Sequence, residues 1–255
     1  MPFARKRFGQ HFLVDRGVIA AILDAIAPRR TDHLVEIGPG RGALTSDLAA
    51  RLDRLEVIEI DRGLAQALRA RHAGSNLVVH EADVLAFDFG ALPAPLRVVG
   101  NLPYNISTPI LFRLADLAAR IADVHAMLQS EVVERIVAAP GTSEYGRLSV
   151  MLQYRFECQR LFDVAPQAFR PPPRVESALL RMTPRPAAAL GARDPRQFAL
   201  VVQTAFSQRR KMLRNTLRAL VAPARLVALG IEPTRRAEEL AIDEYVAIAN
   251  ELDAG

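Results

Sequence analysis

Along the first 180 residues, short apolar runs alternate with stretches whose apolar positions recur every three or four residues. The runs HLVEI (33–37), LEVIEI (55–60), LVVH (77–80), RVVG (97–100) and VHAML (124–128) suit buried strands. Residues 17–27, 43–51 and 62–71 have helical spacing, and Asp15 is placed to cap the first of these helices. A further helix is expected from Thr108, because Pro109 is tolerated in a first turn and LFRLADLAA keeps the period. Ser130 opens another, and 155–164 and 175–182 read as two more strands. This alternation predicts an α/β fold, a doubly wound parallel sheet with helices on both faces.

The pattern changes at Pro184-Arg185-Pro186 and the small residues that run to Arg193. Asp194-Pro195 then opens a region with no strand signal. Two domains are expected: 1–184, carrying the sheet, and 185–255, small and all-helical. Half of the 255 residues are hydrophobic, enough for a sizeable core. A single cysteine, Cys158, excludes a disulfide framework and suits a reducing compartment. No apolar run reaches the roughly 18 residues that span a bilayer. The basic start MPFARKRFGQHF has no apolar signal core after it, so a cytoplasmic protein away from membranes is expected. His33, His72, His80 and His125 are scattered without zinc-site spacing, and no metal is assigned.

EIGPGRGALT (36–45) joins the first strand to the next helix. Gly38 and Gly40 let the backbone turn sharply beside a ligand at the strand carboxyl ends. The spacing is G-x-G-x-G with a proline inside, not the dinucleotide G-x-G-x-x-G. Glu59 ends the second strand, 21 residues after Gly38, where a carboxylate accepts ribose hydroxyls. Asp83 ends the third, placed to meet an adenine amino group. Two carboxylates and no phosphate cage suit a cationic adenosine compound such as S-adenosyl-L-methionine.

The fourth strand ends in VVGNLPYNIS (98–107), with nothing charged in the loop. An adenine amino nitrogen is a poor nucleophile, because its lone pair is delocalised into the ring. Two acceptors on its hydrogens favour the pyramidal form, and the Asn101 side-chain oxygen and Leu102 carbonyl can serve. Pro103 fixes the turn, and Tyr104 offers a ring for the base, a contact worth about 1–3 kcal/mol. No strong base is required; alignment and preorganised dipoles supply the rate.

The basic residues outnumber the acidic ones, 33 to 28, and all but Lys6 and Lys211 are arginines. AFSQRRKMLRNTLRAL (205–220) carries Arg209, Arg210, Lys211, Arg214 and Arg218 and no acid. Residues 210, 214 and 218 predict a basic stripe along one helix face, a phosphate-binding surface. Arg5, Lys6 and Arg7 form a second cluster.

FGQHFLVD (8–15), VEIGPGRGALT, VIEID, EADVL, GNLPYNIS and FRPPPRVESALL (169–180), in this order, resemble the ribosomal RNA adenine N6-dimethyltransferases. The resemblance covers nearly the whole chain. It implies a Rossmann-like class I methyltransferase sheet, S-adenosyl-L-methionine as methyl donor, and small-subunit ribosomal RNA as substrate. His11 and Leu13 are then expected to contact the donor, together with Gly38, Gly40, Glu59, Asp83 and Asn101. Tyr104 is expected to stack on the target base, with Phe169 on its other face. The family often has Asn where His11 stands. The implied product is two adjacent N6,N6-dimethyladenosines in the 3′-terminal hairpin loop of 16S RNA, formed by a monomer on the immature 30S subunit. A macrolide-resistance relative acting on 23S RNA and a mainly non-catalytic ribosome assembly factor remain alternatives. A protein-glutamine methyltransferase is a further one, with Pro expected in place of Leu102.

Overall fold

The computed structural model describes residues 11–252. The elements run β1 (Phe12–Leu13), α1 (Arg16–Ile26), β2 (His33–Ile37), α2 (Thr45–Ala49), β3 (Leu55–Glu59), α3 (Arg62–Arg71) and β4 (Leu77–Glu81). There follow β5 (Leu96–Asn101), α4 (Ser107–Asp116), β6 (Ile121–Gln129), α5 (Ser130–Val137), α6 (Arg147–Arg155), β7 (Phe156–Val164), β8 (Phe169–Arg170) and β9 (Ser177–Pro184). The remaining helices are α7 (Pro195–Ala205), α8 (Leu213–Thr216), α9 (Pro223–Ala228) and α10 (Ile242–Leu252).

Among the described residues, seven strands form one sheet in the order β4-β3-β2-β5-β6-β9-β7. β2 to β6 pair in parallel, and β9 runs antiparallel to β6. Every residue of β3 and the last four of β2 are buried. Successive strand residues point to opposite faces, so both faces are covered, as the continuous apolar runs required. The strands expected from 33, 55, 77, 97 and 124 all appear. β1 and β8, which pair antiparallel in a two-stranded sheet, were not anticipated; two residues carry no periodicity.

Asp15 caps α1 as expected, accepting from the Val18 amide at 3.0 Å. Ile19, Ile22, Leu23 and Ile26 form its buried stripe. At the amino ends of the strands the Arg97 guanidinium bridges Asp32 (2.7 Å) and Asp123 (2.6 Å) and also donates to the Ile26 carbonyl. One planar cation thus ties β5 to β6, to the lead-in of β2 and to the last turn of α1.

The chain divides into two units, and not by a single cut at 184/185. Glu134–Cys158 groups with Arg185–Gly255, and Gln159–Pro184 groups with the residues through Val133. The reason is α6, which had no clear signal. Tyr145, Val150 and Tyr154 belong to the second unit's core with Phe198, Val201 and Tyr245. The Tyr154 and Phe198 rings stack at 4.1 Å. The continuous helix expected over 205–220 is also corrected. α7 stops at Ala205, and the short α8 starts only at Leu213. The Leu213 and Arg214 amides bond to the Arg235 and Pro233 carbonyls instead of extending a helix. Leu213 and Leu217, four residues apart, are fully buried, as one face of a helix would have them, but the helix before them ends at Ala205.

The carboxyl ends of β2 and β5 meet at the Ile37–Gly100 pair, which leaves no room for a side chain on Gly100. A methyl group on Gly100 would fall 2.6 Å from the Ile37 carbonyl oxygen. Gly100→Ala is expected to destabilise the fold by about 1–3 kcal/mol, as overpacking does. Urea denaturation compared with wild type measures this; an unchanged midpoint would show that the strands part freely.

Candidate functional site

The chain runs β2-β3-β4 towards one sheet edge and then returns to place β5 on the other side of β2. A crevice opens at such a reversal, outside the strand carboxyl ends. Here it is a cavity of about 230 Å³. His11, Leu13, Gly38, Gly40, Glu59, Asp83, Asn101, Leu102 and Tyr104 all line it.

The turn after β2 depends on glycine. Gly38 and Gly40 have φ of +64° and +56°, in the left-handed region. A Cβ on Gly40 would also stand 3.2 Å from the Phe12 ring. The loop is held by Glu59, which is 4% exposed at the end of β3. One of its carboxylate oxygens accepts from the Gly40 amide at 3.0 Å, the other from the Asp61 amide at 2.8 Å. Asp61 in turn caps α3 through the Gly63 amide. Burial raises the Glu59 carboxyl above its ordinary pKa. Glu36, inside β2, is also buried and accepts from the Thr45 hydroxyl at 2.7 Å. Burial pushes its carboxyl up to about 7, against the Thr45 hydrogen bond and with help from the charge of Glu59. Two buried carboxyls thus line one cavity, where a cationic ligand would offset their charge. Asp83 sits on the rim, its carboxylate oriented by the Leu85 amide at 2.9 Å.

β5 delivers the neutral half of the site. The Asn101 amide nitrogen donates to the His11 carbonyl at 2.9 Å. This fixes the orientation of the side chain and leaves Oδ1 as an acceptor. The Leu102 amide bonds to the Met127 carbonyl at 3.1 Å, anchoring the loop to β6. Among the described residues no group donates to the Leu102 carbonyl, so it too remains an acceptor. Tyr104 is half-buried; its hydroxyl pairs with the Ser177 hydroxyl at 2.7 Å. The His11 ring lies 5.7 Å from the Tyr104 ring with planes 25° apart, and its Nδ1 contacts the Pro171 carbonyl at 2.8 Å. His11 thus meets Asn101 through its backbone, a contact that does not depend on His or Asn at this position.

Phe169 does not join this group. Its side chain is fully buried in the core with Leu13, Ile19 and Leu179, and it does not line the cavity. Pairing of β8 with β1 turns the ring inward, which removes it as an exposed stacking surface. Sequence reasoning also passed over Glu36 as a functional group, Thr45 and Ser177. Glu36 had a signal, a carboxylate between the apolar Val35 and Ile37. The Thr45 and Ser177 hydroxyls had none, because their partners lie on other elements.

Arg209, Arg210, Lys211, Arg214 and Arg218 are all exposed, in the second unit. Without a continuous helix they form no regular stripe, and Arg209 donates to the Ser143 carbonyl. Arg5, Lys6 and Arg7 lie outside the described residues. Among the described residues no helix is long and apolar enough to cross a membrane.

The sheet order and this glycine-and-carboxylate cavity define a class I S-adenosyl-L-methionine-dependent methyltransferase. The donor set fits that cofactor: the buried carboxyls of Glu36 and Glu59 suit a cation and ribose hydroxyls. The chain belongs to the ribosomal RNA adenine dimethylase family, whose model matches residues 2–254. It is 55% identical over 98% of its length to the ribosomal RNA small subunit methyltransferase A of Dechloromonas aromatica, and covers 98% of that protein. It is 57% identical to the protein of the same name from Aromatoleum aromaticum, with 98% of this chain and 95% of that one covered. A dimethyladenosine transferase from Plasmodium falciparum shares the fold at a TM-score of 0.83 and 23% identity, over 96% of this chain and 98% of that one. The 23S rRNA methyltransferase ErmE matches at a TM-score of 0.69 and 29% identity, over 95% and 99%.

The buried Glu36 makes stability depend on pH. Its folded pKa is about 7 against an ordinary 4.5, so the folded state holds the extra proton between these values. Its contribution to stability therefore falls as pH rises from about 4.5 to 7, by on the order of 3 kcal/mol. Glu36→Gln is expected to gain stability over wild type at pH 8 and to match it near pH 4.5. Denaturant titrations at both pH values check this; a difference independent of pH would refute it.

Proposed function

We propose that the protein transfers methyl groups from S-adenosyl-L-methionine to the N6 amino groups of two adjacent adenosines in the 3′-terminal hairpin loop of 16S RNA. Its substrate is the RNA of the immature 30S subunit, and it acts as a cytoplasmic monomer. Family membership and the names of its relatives support the substrate class. The observation that carries the chemistry is one cavity joining the Glu59 and Asp83 carboxylates to the Asn101–Tyr104 loop.

When bound, the cofactor supplies an electrophilic methyl group on a sulfonium. Glu59 receives its ribose, Asp83 its adenine, and Leu13, Gly38, Gly40 and the His11 backbone shape the pocket. Asn101 Oδ1 and the Leu102 carbonyl accept the two hydrogens of the target amine and draw its lone pair out of conjugation. Tyr104 supports the base, which must leave its stack to enter, and a loop makes this least costly. Neutral acceptors suit an amine that sheds its proton after attack. The single hydrogen left on a monomethylated nitrogen needs only one of them.

The direct test is incubation with labelled S-adenosyl-L-methionine and undermethylated 30S subunits, followed by mapping of the modified bases. Label on protein or on 23S RNA would overturn the proposal. Asn101→Asp places a charge where a neutral acceptor is needed for the second transfer. It is expected to accumulate N6-monomethyladenosine, read by mass spectrometry of digested RNA; a wild-type product ratio would exclude this role for Asn101.

Arg209, Arg210, Lys211, Arg214 and Arg218, with Arg5, Lys6 and Arg7, are proposed to hold RNA phosphates, which position the substrate and do not specify it. Alanine at each of Arg210, Lys211, Arg214 and Arg218 is expected to weaken RNA binding. Each substitution should flatten the slope of log K against log salt by roughly 0.7–0.9, the share of one neutralised phosphate. Filter binding across a salt series measures both, and unchanged slopes would remove these residues from the interface.

A further inference from the structure

Ser177 opens β9, where it pairs with Gln129 of β6, and it is completely buried. The residue before it is fixed as well, since the Glu176 carbonyl accepts from the Ser130 amide at 2.9 Å. The serine hydroxyl therefore projects from a rigid point of the sheet. A buried hydroxyl needs a hydrogen-bond partner, and this one meets the Tyr104 hydroxyl at 2.7 Å. Tyr104 itself lies on a loop, where the ring has no strand to set its tilt. Local bonds hold only the loop's backbone: Ile106 amide to Pro103 carbonyl, and Ser107 hydroxyl to Tyr104 carbonyl. The ring is held at two points, at its hydroxyl by Ser177 and on one face by the His11 ring, which leaves its other face for a base. His11 also carries the carbonyl that orients Asn101. With Phe169 withdrawn into the core, Tyr104 carries the stacking alone of the two rings expected to share it.

We propose that Ser177 is a positioning residue for the methyl transfer: its hydroxyl holds the Tyr104 ring at the tilt that delivers the target amine to Asn101 and Leu102. This rests on the reading of Tyr104 as the support for the base. It has a consequence for the two successive transfers. An unmodified amine is held by two acceptor bonds and by the ring. A monomethylated amine keeps one hydrogen and depends more on the ring. Loss of the Ser177 hydroxyl therefore slows the second transfer more than the first.

The test uses the full-length protein on undermethylated 30S subunits with Ser177→Ala, Tyr104→Phe, the double variant and Tyr104→Ala. Ser177→Ala is expected to lower kcat about tenfold, the effect of one lost hydrogen bond, with KM for the donor within about twofold of wild type. The ratio of monomethylated to dimethylated product is expected to rise at least threefold. Tyr104→Phe, which breaks the same bond without touching β9, should show the same changes, and the double variant should be no worse than either. A wild-type rate and product ratio in Ser177→Ala, or additive losses in the double variant, would overturn the role of Ser177. Should Ser177→Ala fail to fold, a wild-type product ratio in Tyr104→Phe overturns it equally. Full activity in Tyr104→Ala would instead overturn the underlying reading of Tyr104.

Discussion

Ile37 and Gly100 face each other across β2 and β5 with no room for a methyl group between them. Everything else in the site follows from that closeness. The glycine loop leaves the sheet after Ile37, and the Asn101–Tyr104 loop leaves it one residue after Gly100. Because the chain reverses direction across the sheet between these two strands, both loops enter the same crevice. In the proposed reaction a methyl donor at one loop then lies beside a target amine at the other. Nearness of this kind converts a bimolecular reaction into an effectively intramolecular one and can lower the barrier by about 7–11 kcal/mol.

The crevice divides by charge. On the β2–β3 side two buried carboxylates, Glu36 and Glu59, stand near enough for the charge of Glu59 to oppose ionisation of Glu36. Burial makes such a pair costly unless a positive charge arrives. On the β5 side every group is uncharged: an amide oxygen, a backbone carbonyl and a phenol. The first half favours a cation, and the second favours a neutral amine that is becoming positive. Exchanging the two sets would hold a phosphate-free cofactor poorly and would trap the product cation beside a carboxylate.

Much of this was legible in the sequence because it lies on elements with strong periods. The apolar runs at 33, 55, 77, 97 and 124 became parallel strands, and Gly38, Glu59, Asp83 and Asn101 fell at their carboxyl ends as strand geometry demanded. The failures have a common cause. β1 and β8 are two residues long, so no periodicity could reveal the pairing that turns Phe169 inward. α6 carries apolar residues at 150 and 154, but nothing in that spacing tells which core they enter. The basic run from Arg209 keeps a helical period in sequence, yet the Leu213 and Arg214 amides bond to the Arg235 and Pro233 carbonyls and the helix is interrupted. Local pattern predicts local structure; these three outcomes were set by partners far along the chain.

The same distinction explains why the hydroxyls were missed. Thr45 matters through Glu36, and Ser177 through Tyr104, and neither sits in a charged or glycine-rich signature of its own. Each is a small buried side chain whose hydrogen bond restrains a group that faces the cavity. Thr45 bonds one oxygen of Glu36 and favours its charged form, while Ser177 anchors the phenol of Tyr104. Together they act on both halves of the crevice, one on its charge and one on its geometry. Preorganisation here is achieved by groups that need never touch the substrate.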